Sequence, residues 1–108
     1  MSVQPVSYVV AVTFQDRALA GAWLRWLKEG HVAEVIQGGA TQAEIVAIDG
    51  GEHSFEVRYE FPSRDAFAAY ERDHAPRLRA EGLAKFPVER GVIYKRSLGT
   101  ILAAYGAV

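Results

Sequence analysis

Asp49-Gly50-Gly51-Glu52-His53-Ser54-Phe55-Glu56-Val57-Arg58-Tyr59-Glu60-Phe61-Pro62-Ser63 decides how this chain folds. Phe55, Val57, Tyr59 and Phe61 alternate with Glu56, Arg58 and Glu60, so the stretch is a strand with one apolar and one charged face. Asp49 to Glu52 reads as a hairpin turn, because glycine supplies the positive φ that tight turns need. Ala43, Ile45 and Ala47 upstream supply its partner strand. Pro62 ends the strand, and the Ser63 hydroxyl is placed to accept from the orphan N–H groups of a following helix.

Toward the N-terminus, Tyr8, Val10, Val12 and Phe14 alternate with Ser7, Val9, Ala11 and Thr13. Both sets are apolar enough for a central strand covered on both faces. Asp16 is placed to cap the next helix. There Leu19, Ala22, Trp23, Trp26, Leu27 and Gly30 recur at helical spacing, and Arg17, Arg25 and Lys28 take the wetter face. A second short apolar turn, Val32 to Ile36, is expected to stop at Gly38-Gly39. Toward the C-terminus, Phe67, Tyr70 and His74 share one helical face, and Pro76 breaks or restarts the helix. A third helical segment, Arg77 to Lys85, offers Leu78, Gly82, Leu83 and Phe86 inward. Val88 to Ser97 reads as the last strand, and Leu98 to Val108 either docks or frays.

The order strand, helix, strand, strand, helix, strand is the ferredoxin-like split βαβ plan, an α+β fold. It predicts a four-stranded antiparallel sheet with both helices on one face, built as one domain over residues 1–108. The other sheet face, carrying Glu56, Arg58 and Glu60, is left bare. Such faces are commonly covered by a partner subunit or a ligand, so a homodimer through this open face is expected.

Half of the 108 residues are hydrophobic, ordinary for a globular domain of this size. Twelve basic residues against thirteen acidic ones give no surplus for nucleic acid and no pull toward an anionic membrane. The absence of cysteine rules out disulfides, thiolate metal sites and a cysteine nucleophile. Met1 to Pro5 lacks the basic flank and apolar core of a signal peptide, and no apolar run is long enough to span a bilayer. A cytoplasmic protein is expected.

These segments resemble DUF4286, a family of small bacterial proteins of unknown function. The matching residues are Trp23, Trp26, His31, Val35 and Gly39, then Tyr59, Tyr70, His74-Ala75-Pro76-Arg77-Leu78-Arg79, Phe86 and Arg96. The resemblance covers nearly the whole chain. Gly30 stands where the family pattern has a longer polar residue, and Ala33 where proline often follows. The helix after His31 is therefore expected to begin differently. The wider group is similar to the dimeric α+β barrels, among them antibiotic-biosynthesis monooxygenases, EthD-like proteins and stress-induced barrel proteins. That likeness implies a small-molecule pocket between sheet and helices and assigns no reaction.

His31 and His74 are the candidate catalytic residues. His31, four residues after Leu27, is a general base or anion ligand, or else a histidine hydrogen-bonded at a helix end, where the dipole favours its charged form. His74 lines the pocket, or else satisfies carbonyls freed by the proline break. With the two main helices antiparallel, their C-terminal ends are expected at opposite ends of the sheet, about 18 Å apart for a dozen helical residues. A shared metal is therefore not expected, and no His-x-x-x-His or Glu-x-x-His spacing supports one. His53, beside the turn, is expected to be exposed.

Trp23 and Trp26 are core and pocket wall, or a platform for a flat ligand. Tyr59 and Tyr94 either point hydroxyls into the pocket or pack within the sheet. Arg58, with Glu56 and Glu60, either orients a substrate carboxylate or makes cross-strand or cross-subunit ion pairs. Arg77 and Arg79 read as a solvated helix face, with Arg77 near enough to His74 to hold an anion. The expected ligand-binding set is Trp23, Trp26, His31, Tyr59, Tyr70, His74 and Arg77, with a small aromatic or anionic ligand. There is no glycine-rich phosphate loop and no nucleophile elbow, so no cofactor is expected. Three functions fit: a small-molecule-binding protein, a cofactor-independent monooxygenase- or isomerase-like enzyme with a histidine base, or a structural protein acting through its bare sheet face.

Overall fold

The computed structural model describes residues 3–106. Four strands, β1 (Val6–Thr13), β2 (Gln42–Ala47), β3 (Ser54–Phe61) and β4 (Ile93–Thr100), form one sheet in the order β2-β3-β1-β4. Every neighbouring pair is antiparallel. This is the ferredoxin-like arrangement expected from the element order.

Side-chain alternation divides the sheet cleanly. Val6, Tyr8 and Val12 of β1 and Val57, Tyr59 and Phe61 of β3 are buried under the helices. The opposite face carries Glu44, Glu56 and Arg58, where Arg58 Nε donates to Glu56 at 2.9 Å and approaches Glu44 of the facing strand at 3.7 Å. Of the two readings for Arg58, the structure supports the ion pair; Glu60 takes no part in it.

Two helical arms cover the apolar face. The first is α1 (Arg17–Trp26), a π turn (Leu27–His31) and α2 (Val32–Gln37). Asp16 caps it as expected, its carboxylate accepting from the N–H groups of Ala18 and Leu19. The second arm is α3 (Arg64–Asp73) and α4 (Ala75–Lys85). The Ser63 hydroxyl accepts from the Ala66 N–H, and the arm breaks at His74 just before Pro76. Inward residues of both arms, among them Leu19, Trp23, Leu27, Val35, Phe67, Tyr70, Ala75 and Leu78, close the core.

Three boundaries differ from expectation. The last strand begins at Ile93, because Val88–Arg90 winds into a 3-10 turn that ends on Gly91 at φ +82°. It runs on to Thr100, and the Ile101 N–H then donates to the Pro5 carbonyl. Beyond that, Leu102 and Tyr105 are exposed, and the expected course of the last two residues lies outside those described. In the β2–β3 turn the positive φ values fall on Gly50 and His53 rather than on both glycines. His53 is half-buried, with its carbonyl accepting from the Phe14 N–H, where an exposed residue was expected.

The first arm differs most. A regular α-helix advances 100° per residue, so residues five apart project about 140° apart around the axis. The π turn holds one extra residue, and the Val32 N–H donates to the carbonyl of Leu27, five residues back. Gly30 departs from helical geometry inside it, with φ 176° and ψ −31°. The altered start of the helix after His31, expected from Gly30 and Ala33, takes this form.

Candidate functional site

The wide turn sets His31 directly over Trp26, with ring centres 4.1 Å apart and planes inclined by 21°. Trp26 in turn brings the edge of its indole against α4 at Gly82. A β-carbon there would sit 3.2 Å from the indole edge, so only glycine leaves the ring its present place. Phe86 packs on the other side of Trp26, with ring centres 5.4 Å apart.

Beside this stack is a cavity between the two arms and strands β1, β3 and β4 of the sheet. Val10, Val57 and Tyr94 contribute to the sheet side, and Leu27, Leu78 and Gly82 to the helical side. Val10 is only half-buried although it occupies the middle of the central strand, because the cavity lies over it. The free volume is about 50 Å³, where a water molecule occupies about 30 Å³ of liquid. Ligand pockets commonly reach about 300 Å³ or more, so a larger guest must displace a wall. Leu83 and Arg96 are its two exposed lining residues and mark the open side, between α4 and β4.

The polar groups are concentrated around Arg79. Its Nη2 donates to the Tyr8 hydroxyl at 3.1 Å and pairs with Glu71 at 2.6 Å. Tyr59 stacks on Tyr8 at 6.0 Å, and Tyr70 lies 6.4 Å from the same ring. Burial, followed by the neighbouring Tyr70 and Tyr8, holds the Tyr59 pKa well above the usual phenol range. Burial pushes Tyr70 up to about 12. Both phenols therefore stay protonated at neutral pH and keep their O–H donors. Arg96, also on the lining, brings a second positive charge to this end and lies 5.8 Å from the Tyr94 ring. The Tyr94 hydroxyl is already committed, donating to the Phe86 carbonyl at 2.6 Å.

Two of the lining residues each hold one fully buried side-chain atom without a hydrogen-bond partner among the described residues: His31 Nδ1 and Arg79 Nε. Burial lowers the His31 pKa from 6.5 to about 4, outweighing Glu81, which raises it, and Arg77, which adds to the lowering. The imidazole is thus neutral at pH 7. Of the two readings of His31, the charged histidine at a helix end does not fit: the π turn continues the helix, and burial disfavours the charge.

Of the residues singled out from sequence, Trp23, Trp26, His31, Tyr59 and Tyr70 line the cavity together. His74 and Arg77 are not on the lining. His74 is stacked on Tyr70 with ring centres 6.4 Å apart and lies against Gly38, and its side chain makes no capping hydrogen bond. Arg77 bridges Glu81 at 3.1 Å and Glu34 at 3.7 Å, tying α4 to α2. The histidines are not at opposite ends of the sheet. His74 packs at Gly38, the end of α2, and His31 sits at its start, about 10 Å away for seven helical residues at 1.5 Å each.

Arg79 was missed by the reading of a solvated face. Its signal was in the spacing: Ala75, Leu78, Arg79, Gly82 and Phe86 fall on one helical stripe, and Arg79 lies half-buried at the edge of it. No comparable signal marks Tyr8, whose role depends on where α4 lands.

Among solved structures, a dimeric ferredoxin-like protein from an uncultured marine organism superposes with a TM-score of 0.69 at 14% identity, covering 94% of this chain and 99% of that one. A single-site variant of SnoaB, a cofactor-independent oxygenase from Streptomyces nogalater, gives 0.67 at 13% identity over 94% and 97%. A heme-degrading protein from Mycobacterium tuberculosis gives 0.62 at 18% identity over 98% and 100%. At these identities the likeness is one of fold. No curated protein matches the chain. Residues 6–101 match the sequence pattern of DUF4286, a domain of unknown function, and the chain belongs to that family.

Proposed function

We propose that this protein binds a small molecule in the cavity between its helices and sheet, with Trp23, Trp26, His31, Tyr59 and Tyr70 among the residues that hold it. The observation that carries this reading is the cavity itself, which gathers aromatic and polar side chains from both helical arms and the sheet on one lining. The test is a thermal-shift screen of small aromatic acids, phenols and quinones against the wild type and His31→Phe. A stabilising compound whose effect disappears in the folded variant supports the site. A panel that shifts neither protein overturns it.

A catalytic reading is favoured by one further observation. A histidine held neutral by burial and set on the wall of a cavity is suited to take a proton from an activated phenol or carbonyl compound, as a cofactor-independent oxygenase or isomerase requires. Chemical conversion of a bound compound by the wild type, absent in His31→Phe, separates this reading from binding alone.

The proposal includes a homodimer formed through the sheet face that carries Glu44, Glu56 and Arg58. The related fold described as dimeric supports it. Sedimentation at micromolar concentration should give twice the chain mass, and a monomer would overturn it. The proposed setting is the cytoplasm, where a cysteine-free chain is indifferent to reducing conditions.

A further inference from the structure

We propose that the segment after β4 is an exchange arm: Leu102 to Tyr105 of one copy of this chain cross to a second copy, where Leu102 seats in the groove between α2 and β2. This inference rests on the homodimer reading and names the segment that holds the two copies together.

Two apolar surfaces of this chain lack cover. The first is the segment itself. Leu102 is 81% exposed and Tyr105 94%, and no residue from Ile101 to Gly106 carries a charged side chain or belongs to a strand or helix. The second is a groove lined by Val32, Ala33 and Ile36 of α2 and by Ala43 and Ile45 of β2. Ile36 is 42% exposed there. The groove holds about 400 Å³ of open space, so a leucine side chain enters without moving a wall. β2 is an edge strand, and its outer edge offers free backbone groups to an extended arm.

The two surfaces meet at the bare sheet face. Thr100 pairs with Val6, Val6 with Phe61, and Glu60 with Gln42, so the end of β4 and the start of β2 lie at the same end of the sheet. The Ile101 N–H donates to the Pro5 carbonyl and fixes the root of the arm there. Ile101 lines a hollow on the bare face with Ser7, Glu44 and Arg58. Ala43 and Glu44 line both that hollow and the groove, so the groove opens onto the rim of the face assigned to the dimer.

Leu102 cannot fill the groove of its own copy. It lies two residues past Thr100, at most about 7 Å of chain, whereas three strand spacings, about 14 Å, separate β4 from β2. The groove lies farther still, against α2. A second copy is therefore its source. The arm also supplies what the bare face lacks. Glu44, Glu56 and Arg58 make that face polar, whereas lasting dimer interfaces are more hydrophobic. A leucine and a tyrosine from each copy add the apolar part.

The experiment exploits a chain without native cysteine. Ile36→Cys and Leu102→Cys are combined in one chain, oxidised at micromolar concentration and run on a gel without reductant, beside each single variant. A disulfide needs Cα atoms about 4.4–6.8 Å apart. The double variant should run at twice the chain mass and return to one on reduction, while both single variants stay at one. Leu102→Asp, at an exposed position that leaves the fold of each copy intact, should raise the dimer dissociation constant in sedimentation roughly tenfold or more, as expected for losing a buried leucine. A dimer unchanged by Leu102→Asp overturns the arm and leaves the dimer through the sheet face. A dimer weakened by Leu102→Asp whose double-cysteine variant forms no bond overturns the seat in the groove. Loss of both thiols at one chain mass means a bond within a copy and overturns the exchange. A wild-type monomer overturns both the arm and the dimer.

Discussion

Moving from pH 7 to pH 5 is expected to remove about 2 kcal/mol of folding stability through His31 alone. In the native protein the imidazole stays neutral down to about pH 4, whereas in the unfolded chain it takes a proton below its ordinary value of 6.5. Below 6.5 the unfolded state therefore binds a proton that the native state refuses, and unfolding gains. The contribution is whole above pH 6.5, falls through the window and levels off below about 4. Its full size is about 3 kcal/mol, at about 1.4 kcal/mol for each step of one in pKa. Most of that falls above pH 5, before carboxylates take up many protons. The groups facing the ring are Trp26 on its own arm and Glu81 and Arg77 on α4; the last two act in opposite senses and are both weaker than desolvation. Urea unfolding followed by tryptophan fluorescence, at pH 7, 6 and 5, measures the loss. His31→Phe supplies the control, because it keeps the stacked ring and removes the titrating nitrogen. The wild type should lose about 2 kcal/mol more than the variant between pH 7 and 5. Parallel curves for the two proteins would refute the reasoning, since they would mean that the ring is solvated or charged in the native state.

Asp16→Ala should cost about 1 kcal/mol in urea unfolding, because the Ala18 and Leu19 N–H groups lose their acceptor. A change within about 0.2 kcal/mol would remove the cap from the account. Gly38→Ala should lower stability by about 1–3 kcal/mol, since the new methyl would lie 2.9 Å from the Tyr70 ring and 3.1 Å from His74. A shift in the His74 NMR signals in the folded variant would locate that strain. Tyr94→Phe should cost about 1 kcal/mol in thermal unfolding by leaving the Phe86 carbonyl without its phenol.

The fold was legible because its signals are local. Strand alternation at Phe55 to Phe61, the caps at Asp16 and Ser63 and the break before Pro76 each depend on a handful of neighbouring residues, and each appears where it was read. The start of β4 was not legible, because Val88 is an apolar residue in an exposed 3-10 turn and carries the same signature as a strand residue. The site was legible only in part. Trp23, Trp26, His31, Tyr59 and Tyr70 stood out as large polar-aromatic side chains on inward stripes. Arg79 was read from its charge instead of its place on such a stripe, and His74 was drawn toward the cavity by its proximity to Tyr70. The orientation of His31 depends on one non-local circumstance: whether the helix takes a π turn or ends at Gly30. Helical periodicity counted at 100° per residue cannot distinguish these outcomes.

That turn also leaves the two halves of the first arm out of phase by a single residue. Deleting Gly30, to which no side chain lies close, would let α1 and α2 join as one regular helix. Trp26 and His31 would then stand four residues apart, about 40° around a regular helix, so the imidazole would stay near the indole. The wide turn thus absorbs its extra residue locally, and the residues on either side keep the faces they present to the core. A one-residue change in length at this point is therefore one that chains of this fold can accept without turning either half of the arm away from the sheet.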